Sequence, residues 1–247
     1  MSGHPPYLLP SWRRTVLAFA LHLAALPGVS GVAFAFPPYR STDAGTADPW
    51  VVEGRLGMIQ WTRDGGDDAS SSPLLRLNLG LPAHTELSAE MEYSQDTNRI
   101  EDAAVGGKWI PWVSDISLGI EALALLPRSG ETRTGFEASL LMTTRTEPLL
   151  LHMNAGGFDD RRPEKAEQGW KGSVLLEYLG EVSWRPGIEL SAKRIGSEPE
   201  QVTAGAGAIV PFDSFDVRFG ARFGLTNAAP DVTASLWIGG ELPLRSE

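Results

Sequence analysis

The stretch Phe215-Asp216-Val217-Arg218-Phe219-Gly220-Ala221-Arg222-Phe223-Gly224-Leu225 decides the fold class of this chain. Its odd positions are all apolar, whereas its even positions carry Asp, Arg or Gly. Successive side chains of a strand point to opposite faces, so this ribbon has one apolar and one polar side. A helix would scatter both sets around its circumference. The stretch therefore predicts a β-strand between an apolar and a polar environment.

The same alternation recurs along the chain after residue 50. It is clear in the segments 85–93, 136–142, 202–212 and 232–238. Weaker examples lie near 51–61, 73–81, 103–112, 116–126, 149–157, 169–179 and 182–195. The segment around Ile116 is apolar on nearly both faces. Pro186 interrupts the segment 182–195, because proline has no backbone N–H to donate to a central ladder. With the first stretch, these segments predict twelve strands.

The predicted links between strands alternate in length. Short links follow the even strands, at 82–84, 113–115, 145–148, 180–181 and 213–214. Longer and more polar links follow the odd strands, at 62–72, 95–100, 127–133, 158–168, 196–200 and 226–230. This alternation is typical of outer-membrane barrels, with short periplasmic turns and longer external loops. We therefore expect an all-β, closed, antiparallel up-and-down transmembrane barrel with both chain ends on the periplasmic side.

Three features favour a lipid-facing apolar side over a soluble barrel filled by it. Side chains can just fill the interior of a barrel of about eight strands, so a barrel of twelve strands encloses more space than they would occupy. The polar face is rich in Gly and charges and poor in interlocking large aliphatics. Aromatic residues gather near predicted strand ends, as in the interfacial girdles of membrane barrels; they are Trp50, Trp61, Tyr93, Trp109, Trp112, Phe158, Trp170, Tyr178, Phe212 and Phe215.

The first 35 residues are typical of a cleavable signal peptide. Arg13 and Arg14 precede an apolar run, Val16–Leu26, and Ala33-Phe34-Ala35 supplies a small-x-small cleavage pattern. The apolar run is too short for a membrane anchor, which needs about 20 residues. We therefore predict a signal peptide at 1–35, an N-terminal extended segment at 36–50, a barrel at 51–247, and export to the outer membrane.

Composition excludes several classes of function. The 247-residue chain has a formal net charge of −10, which argues against nucleic acid as a partner because phosphate binding needs a basic surface. It contains no cysteine, so disulfide frameworks and cysteine-based metal sites are excluded. The expected partners are the lipid bilayer, the barrel-insertion machinery and a small solute.

Charged and polar residues on the inner faces are the candidate lumen lining. We expect them to neutralise one another within the lumen or, alternatively, to form a selectivity filter. They are Arg55, Glu86, Glu90, Glu92, Lys108, Glu121, Glu137, His152, Asn154, Glu177, Glu189, Lys193, Arg218 and Arg222.

Catalytic, metal and cofactor sites are not predicted. After residue 35 the chain has only His84, in a predicted turn, and His152, which has no serine close in sequence. A barrel-scaffolded hydrolase would need a nucleophile and a histidine base in reach of each other. Glu86, Glu90 and Glu92 share one face, but their spacing is not that of a calcium loop.

Several segments resemble the bacterial outer-membrane family named after the meta-pathway of phenol degradation. These are Pro37-Pro38-Tyr39-Arg40-Ser41-Thr42-Asp43-Ala44-Gly45, Leu77–Leu81 with Thr85-Glu86-Leu87, Gly106-Gly107-Lys108-Trp109 and Leu151–Gly157. The likeness spans residues 36–242; a departure is Trp50, where the family often has Gly. It implies a transporter-like barrel that passes small, often hydrophobic, compounds, and it supplies no catalytic residues.

The sequence therefore predicts a channel or facilitator for small solutes, including hydrophobic or aromatic ones, and no enzyme. Two alternatives stay open. The first is a closed structural or adhesive barrel that acts through its external loops. The second is a barrel-scaffolded hydrolase that uses His152.

Overall fold

Twelve β-strands form the chain in a computed structural model that describes residues 37–62, 69–94, 98–127, 132–162, 166–180 and 183–245. The strands are β1 (Val51–Thr62), β2 (Ala69–Leu81), β3 (Thr85–Ser94), β4 (Arg99–Trp112), β5 (Ile116–Leu125), β6 (Gly135–Thr146), β7 (Leu149–Asp160), β8 (Glu167–Tyr178), β9 (Arg185–Ile195), β10 (Gln201–Pro211), β11 (Asp216–Gly224) and β12 (Val232–Pro243). In the described part of the chain, no helix is long and apolar enough to cross a membrane.

The sheet closes on itself, and every strand pairs antiparallel with its neighbours in sequence. Closure is made by β1 and β12, whose register runs from Val51 opposite Pro243 to Thr62 opposite Val232. A closed barrel has no free edge, so each strand's backbone groups are satisfied within the wall. The predicted all-β up-and-down barrel of twelve strands is confirmed.

The predicted links at 82–84, 113–115 and 196–200 match the structure, and the others differ in their bounds. Short connections at 82–84, 113–115, 147–148 and 212–215 lie at the end of the barrel where β1 begins and β12 ends. We call this the short-link end, and the opposite end the long-link end. The connection after β8 runs over 179–184 and is longer than predicted, because β9 begins only at Arg185. Pro186 is then the second residue of a strand, where a missing donor costs little.

Several predicted loops fall partly on strands or outside the described residues. The link predicted at 62–72 is shorter because β2 begins at Ala69, and the one at 95–100 ends where β4 begins at Arg99. Residues 63–68, 95–97, 128–131, 163–165 and 181–182 lie outside the description, as does the predicted signal peptide.

The outer face of the barrel is apolar, as the alternation predicts. Leu140 and Phe136 in β6, Ile188 in β9 and Phe223 in β11 each expose more than half of their surface, at 65%, 65%, 62% and 54%. In water such a surface would be an aggregation hazard. In a bilayer it is the lipid-facing band of an outer-membrane barrel.

The structure changes the set of aromatic residues that were predicted to form the interfacial girdles. Trp109, Trp112, Trp170, Tyr178 and Phe212 are exposed near strand ends, whereas the side chain of Trp61 lies outside the description. Phe158 points inward, since it shares the face of Asn154 and lines a cavity of the lumen. The placement of Phe158 in the girdle was wrong because β7 continues to Asp160, which sets Phe158 in the alternation rather than at a strand end.

The inner face also carries more aliphatic bulk than predicted. Ile110, Leu141 and Leu175 are almost fully buried inside the barrel, at 1%, 2% and 0% exposure. Ile110 and Leu141 form one cluster with Ala44, and Leu175 forms another with Tyr39. Ala44 and Tyr39 precede β1, so the apolar interior residues pack against a segment that enters the barrel.

Candidate functional site in the barrel lumen

The strand register puts the predicted lumen residues on the inner face. One row of paired positions crosses Glu86, Lys108 and Glu121, and another crosses His152, Leu175, Glu189, Gly205 and Arg222. Arg55, Glu90, Glu92, Glu137, Asn154, Glu177, Lys193 and Arg218 follow the same alternation on their own strands. Residues from opposite walls are then joined by a single stretch of chain.

Residues 37–50 form that stretch, which we call the inner segment. It runs inside the barrel and contacts the wall in order, from β11 and β9 through β8, β7, β6 and β4 to β3 and β2. Trp50 N donates to Gly80 O at 2.8 Å, and the chain then continues into β1. The inner segment is not a strand, so its path leaves no alternating pattern in the sequence.

Glu189 holds the beginning of the inner segment. Its carboxylate accepts hydrogen bonds from Arg40 N at 3.0 Å, Ser41 N at 2.6 Å and Ser41 Oγ at 2.8 Å. Hydrogen bonds to an ionised acceptor are the strong ones in proteins. Ser41 Oγ also lies 2.9 Å from Ser173 Oγ of β8, so the segment is fixed to two strands at this point.

Asn154 binds the next residue through its side-chain amide. Oδ1 accepts from Thr42 N at 2.8 Å, and Nδ2 donates to Thr42 O at 2.8 Å. Both backbone groups of Thr42 are therefore satisfied by one side chain, as a neighbouring strand would do. Buried backbone groups need such partners because no water replaces them.

A buried ion cluster fixes the middle of the inner segment. Lys108 Nζ lies 3.2 Å from Asp43 Oδ1 and 3.7 Å from Glu86 Oε1, and it donates to Gly45 O at 2.8 Å. Glu86 Oε2 in turn accepts from Ala47 N at 2.8 Å. Burial raises the pKa of the Asp43 carboxyl, although the Lys108 ammonium opposes this shift. The single charge of Lys108 thus offsets the buried charges of both Asp43 and Glu86.

A relay of side chains connects the segment to the wall at β6, β7 and β8. Ala44 N donates to Thr143 Oγ1 at 2.8 Å, Thr143 Oγ1 lies 2.9 Å from His152 Nδ1, and His152 Nε2 lies 3.0 Å from Glu177 Oε2. In the tautomer that carries its proton on Nε2, His152 accepts from Thr143 Oγ1 at Nδ1 and donates from Nε2 to Glu177 Oε2. Arg185 also donates to Glu177 Oε2 at 2.8 Å.

The order of hydroxyl, imidazole and carboxylate in this relay is also the order of a nucleophilic triad. No serine lies near His152 in the sequence, but the fold places Thr143 directly opposite His152 across β6 and β7. However, the Thr143 oxygen already accepts from Ala44 N, and His152 is 0% exposed. The relay therefore positions the inner segment. His84 lies apart from it, in the 82–84 turn.

The start of the inner segment packs on two glycines of the wall, Gly207 of β10 and Gly220 of β11. A Cβ on Gly220 would lie 2.8 Å from Pro38 Cβ, and one on Gly207 would lie 2.8 Å from Pro38 Cγ. Glycine at both positions lets the proline ring approach the sheet closely. Arg222 donates to Pro38 O at 3.3 Å beside this contact.

Most other lumen charges pair across the inner face. Arg76 Nη1 lies 2.7 Å from Glu90 Oε1, and Arg76 Nη2 lies 3.2 Å from Glu121 Oε1. Lys171 contacts Glu137. Arg55 pairs with Glu53 at 2.7 Å and Arg218 with Asp216 at 2.6 Å, each two residues along its own strand.

Two cavities lie on opposite sides of the inner segment. The one toward the short-link end has a volume of about 460 Å³ and is lined by residues 44–49 and by the turns at 83–84 and 113–115. The other, toward the long-link end, has a volume of about 440 Å³. Its lining includes Arg40, Arg76, Glu137, Phe158 and Lys193. Solutes of modest size fit volumes in this range.

Several residues of this site were not predicted from the sequence. Arg76 and Lys171 lie in weakly alternating strands, where closer attention to the polar face would have found them. Arg40 and Asp43 belong to the inner segment, for which no periodicity exists. Within the described residues, no group of three or more His, Cys, Asp or Glu side chains is placed to hold a metal ion.

The closed twelve-stranded wall, the apolar exterior and the polar lumen define a porin-like barrel of the outer-membrane type. No protein-family model matches the chain, and no curated protein matches its sequence. Among solved structures, the chain is similar to the KdgM porin, with a TM-score of 0.58 and 13% identity over 75% of this chain and 98% of that one. The NanC porin gives a TM-score of 0.60 and 9% identity over 77% and 100%.

A third similar structure is the KdgM porin in complex with disordered oligogalacturonate, with a TM-score of 0.59 and 12% identity over 77% of this chain and 98% of that one. At such low identities the likeness shows the fold alone. It agrees with the strand count and closure, and it does not transfer a solute.

Proposed function

We propose that this chain is an outer-membrane channel for small solutes, with a passage through the lumen that the inner segment restricts. The observation that carries the proposal is the pair of cavities, about 440 and 460 Å³, on the two sides of that segment. Together with the polar inner face, they leave room for a solute above and below one constriction. The porin fold of KdgM and NanC supports the same class of function.

Export and insertion belong to this proposal. The apolar outer wall suits a bilayer, into which the barrel-insertion machinery would place it. Removal of residues 1–35 during export is part of the same proposal, and its support is the small-x-small pattern Ala33-Phe34-Ala35.

The resemblance to the meta-pathway family also stays a proposal, and with it the passage of hydrophobic or aromatic solutes. Its support is that the motifs behind the resemblance contact one another. Asp43 of the opening motif meets Lys108, and Thr42 meets Asn154. Three separate motifs would therefore serve one structure, the inner segment and its anchors.

The test is single-channel conductance in planar bilayers containing 1 M KCl (roughly the salt at which surface charges are screened). The chain 36–247 is compared with a variant that lacks residues 37–46 and with the double variant Glu189→Gln, Asn154→Ala. Folding of each is first established by its shift on heating in gel electrophoresis. We expect small current steps from the intact chain and larger ones from both variants. Folded barrels without current in all three would contradict the channel.

The closed structural or adhesive barrel is the second candidate, and the many buried bonds to the inner segment favour it. It predicts no current from the intact or the loosened chain. It further predicts that shortening the connection at 161–166 abolishes binding to a partner while the barrel still folds. The hydrolase is the weakest candidate, because Thr143 is already engaged by Ala44 N.

A further inference from the structure

Basic side chains gather in the lumen between the inner segment and the long-link end. Arg40, Lys171 and Lys193 line the cavity of about 440 Å³ there. Arg222 adjoins them behind Pro38, to whose carbonyl oxygen it donates at 3.3 Å. We call these four residues the basic cluster. Its members come from the inner segment, β8, β9 and β11.

Apart from Glu137, the acids that line this cavity are paired elsewhere: Glu90 and Glu121 with Arg76, and Asp102 with Arg162. Lys171 contacts Glu137, but none of the described carboxylates forms an ion pair with Arg40, Lys193 or Arg222. Glu189 is close by, yet its oxygens are taken by Arg40 N and by Ser41 N and Oγ. The Nε of Arg222 is buried and has no hydrogen-bond partner in the part of the chain that the structure describes.

The register adds to this imbalance. Lys171 and Lys193 are directly opposite each other across β8 and β9. Like charges at directly opposed positions destabilise a sheet. This local pair of positive charges occurs in a chain whose net charge is −10. A bound anion in the cavity would relieve this repulsion.

The cavity beside the cluster also offers apolar contacts. Lys193 Nζ lies 4.8 Å from the centroid of the Phe158 ring, and Leu123 lines the same cavity. A solute with an anionic group at the cluster could place a carbon skeleton against these side chains. An inorganic anion has no carbon skeleton and would make no apolar contact with Phe158 or Leu123.

We propose that the basic cluster and Phe158 form a binding site for a small organic carboxylate on the solute path through the lumen. The site deepens the proposed function and rests on it for its role in transport. Binding itself needs no flux, so the two ideas can fail separately. A barrel that binds a carboxylate but conducts nothing would keep the site and contradict the channel.

The experiment is isothermal titration calorimetry of the folded chain 36–247 in neutral detergent with sodium benzoate as the probe. Benzyl alcohol and sodium phosphate are titrated in parallel at constant ionic strength. We expect benzoate to bind in a one-to-one complex. Benzyl alcohol, which lacks the anionic group, and phosphate, which lacks the ring, should each bind at least about tenfold more weakly. Lys193→Gln should weaken benzoate binding about tenfold through loss of a charge-assisted contact.

The matched control is Arg194→Gln, which removes the same charge one residue further along β9 on the exposed face, where Arg194 lies 3.7 Å from Glu200. It should leave benzoate binding unchanged. Lys193 has no ion-pair partner among the described residues, so its replacement leaves no acid uncompensated, and the barrel should fold. Three results would each overturn the proposal: no benzoate binding, equal binding of benzyl alcohol or phosphate, or equal weakening by both variants.

Discussion

Asn154 and Thr42, far apart in sequence, are joined by two hydrogen bonds of 2.8 Å that satisfy both backbone groups of Thr42. The amide thus acts as a short piece of sheet between β7 and the inner segment. Ala44, two residues further on, is 6% exposed and packs with Ile110 and Leu141.

Replacement of Asn154 by Ala should loosen the inner segment without opening the barrel. Two hydrogen bonds are lost and the Thr42 backbone is left unpaired, which costs about 1–3 kcal/mol of local stability. Because the chain has no cysteine, Ala44→Cys supplies a single thiol. We expect a water-soluble maleimide to label this thiol at least about fivefold faster in the Asn154→Ala background.

The matched control is Asn227→Ala, an exposed asparagine in the connection between β11 and β12. It should leave the labelling rate of Ala44→Cys unchanged. Equal rates for Asn154→Ala and the parent protein would mean that the amide does not hold the segment.

Lys108 should be essential to the stability of the lumen. Lys108→Met leaves Asp43 and Glu86 buried without their cation, and breaking a buried pair in this way costs about 3–5 kcal/mol. The measurement is the urea midpoint of unfolding in detergent, read by tryptophan fluorescence. Adding Asp43→Asn to Lys108→Met should restore part of the loss, since one of the two uncompensated acids is then neutral.

That double-mutant cycle isolates the contact between the two residues. If the losses for Lys108→Met and Asp43→Asn simply add, the 3.2 Å contact contributes nothing to stability. The exposed pair of Arg145 and Glu147 serves as the comparison, because its ends are 55% and 80% exposed. Arg145→Met should change the midpoint little, as for most surface ion pairs.

Gly220 should be required for seating Pro38. In Gly220→Ala the new methyl group would meet Pro38 Cβ at 2.8 Å and Ala206 O at 3.1 Å, so the inner segment must shift. We expect faster labelling of Ala44→Cys and larger current steps. Gly157→Ala is the control, because its nearest contact, Gly169 O at 3.4 Å, is ordinary van der Waals contact. If Gly220→Ala behaves like Gly157→Ala, the close approach of Pro38 does not hold the segment.

The outward face should reject charge. Leu140 in β6 is 65% exposed on the apolar exterior. An arginine near the middle of the lipid-facing band costs about 2–4 kcal/mol. Leu140→Arg should therefore lower the yield of heat-modifiable barrel in lipid vesicles, whereas Asn227→Arg, at an exposed position outside the strands, should not. Normal folding of Leu140→Arg in lipid would contradict the orientation of the wall.

Much of the barrel could be predicted from alternation alone. The stretch around Phe219 and Arg218 indicates two faces, because the period of a strand is two regardless of what surrounds it. Twelve such segments and their alternating links lead to closure and to an apolar exterior. The polar positions of each strand, such as Glu86, Lys108 and Glu189, are likewise assigned to one face by sequence order.

The number and order of the strands, and the face of most polar side chains, thus follow from the sequence alone. Which lumen residues meet, and what fills the space between them, follows only from the folded barrel. The inner segment has no periodic pattern, and its path depends on contacts such as Ser41 with Glu189 and Asp43 with Lys108. Alternation reports a local backbone period, whereas these contacts join positions that become neighbours only when the sheet closes on itself.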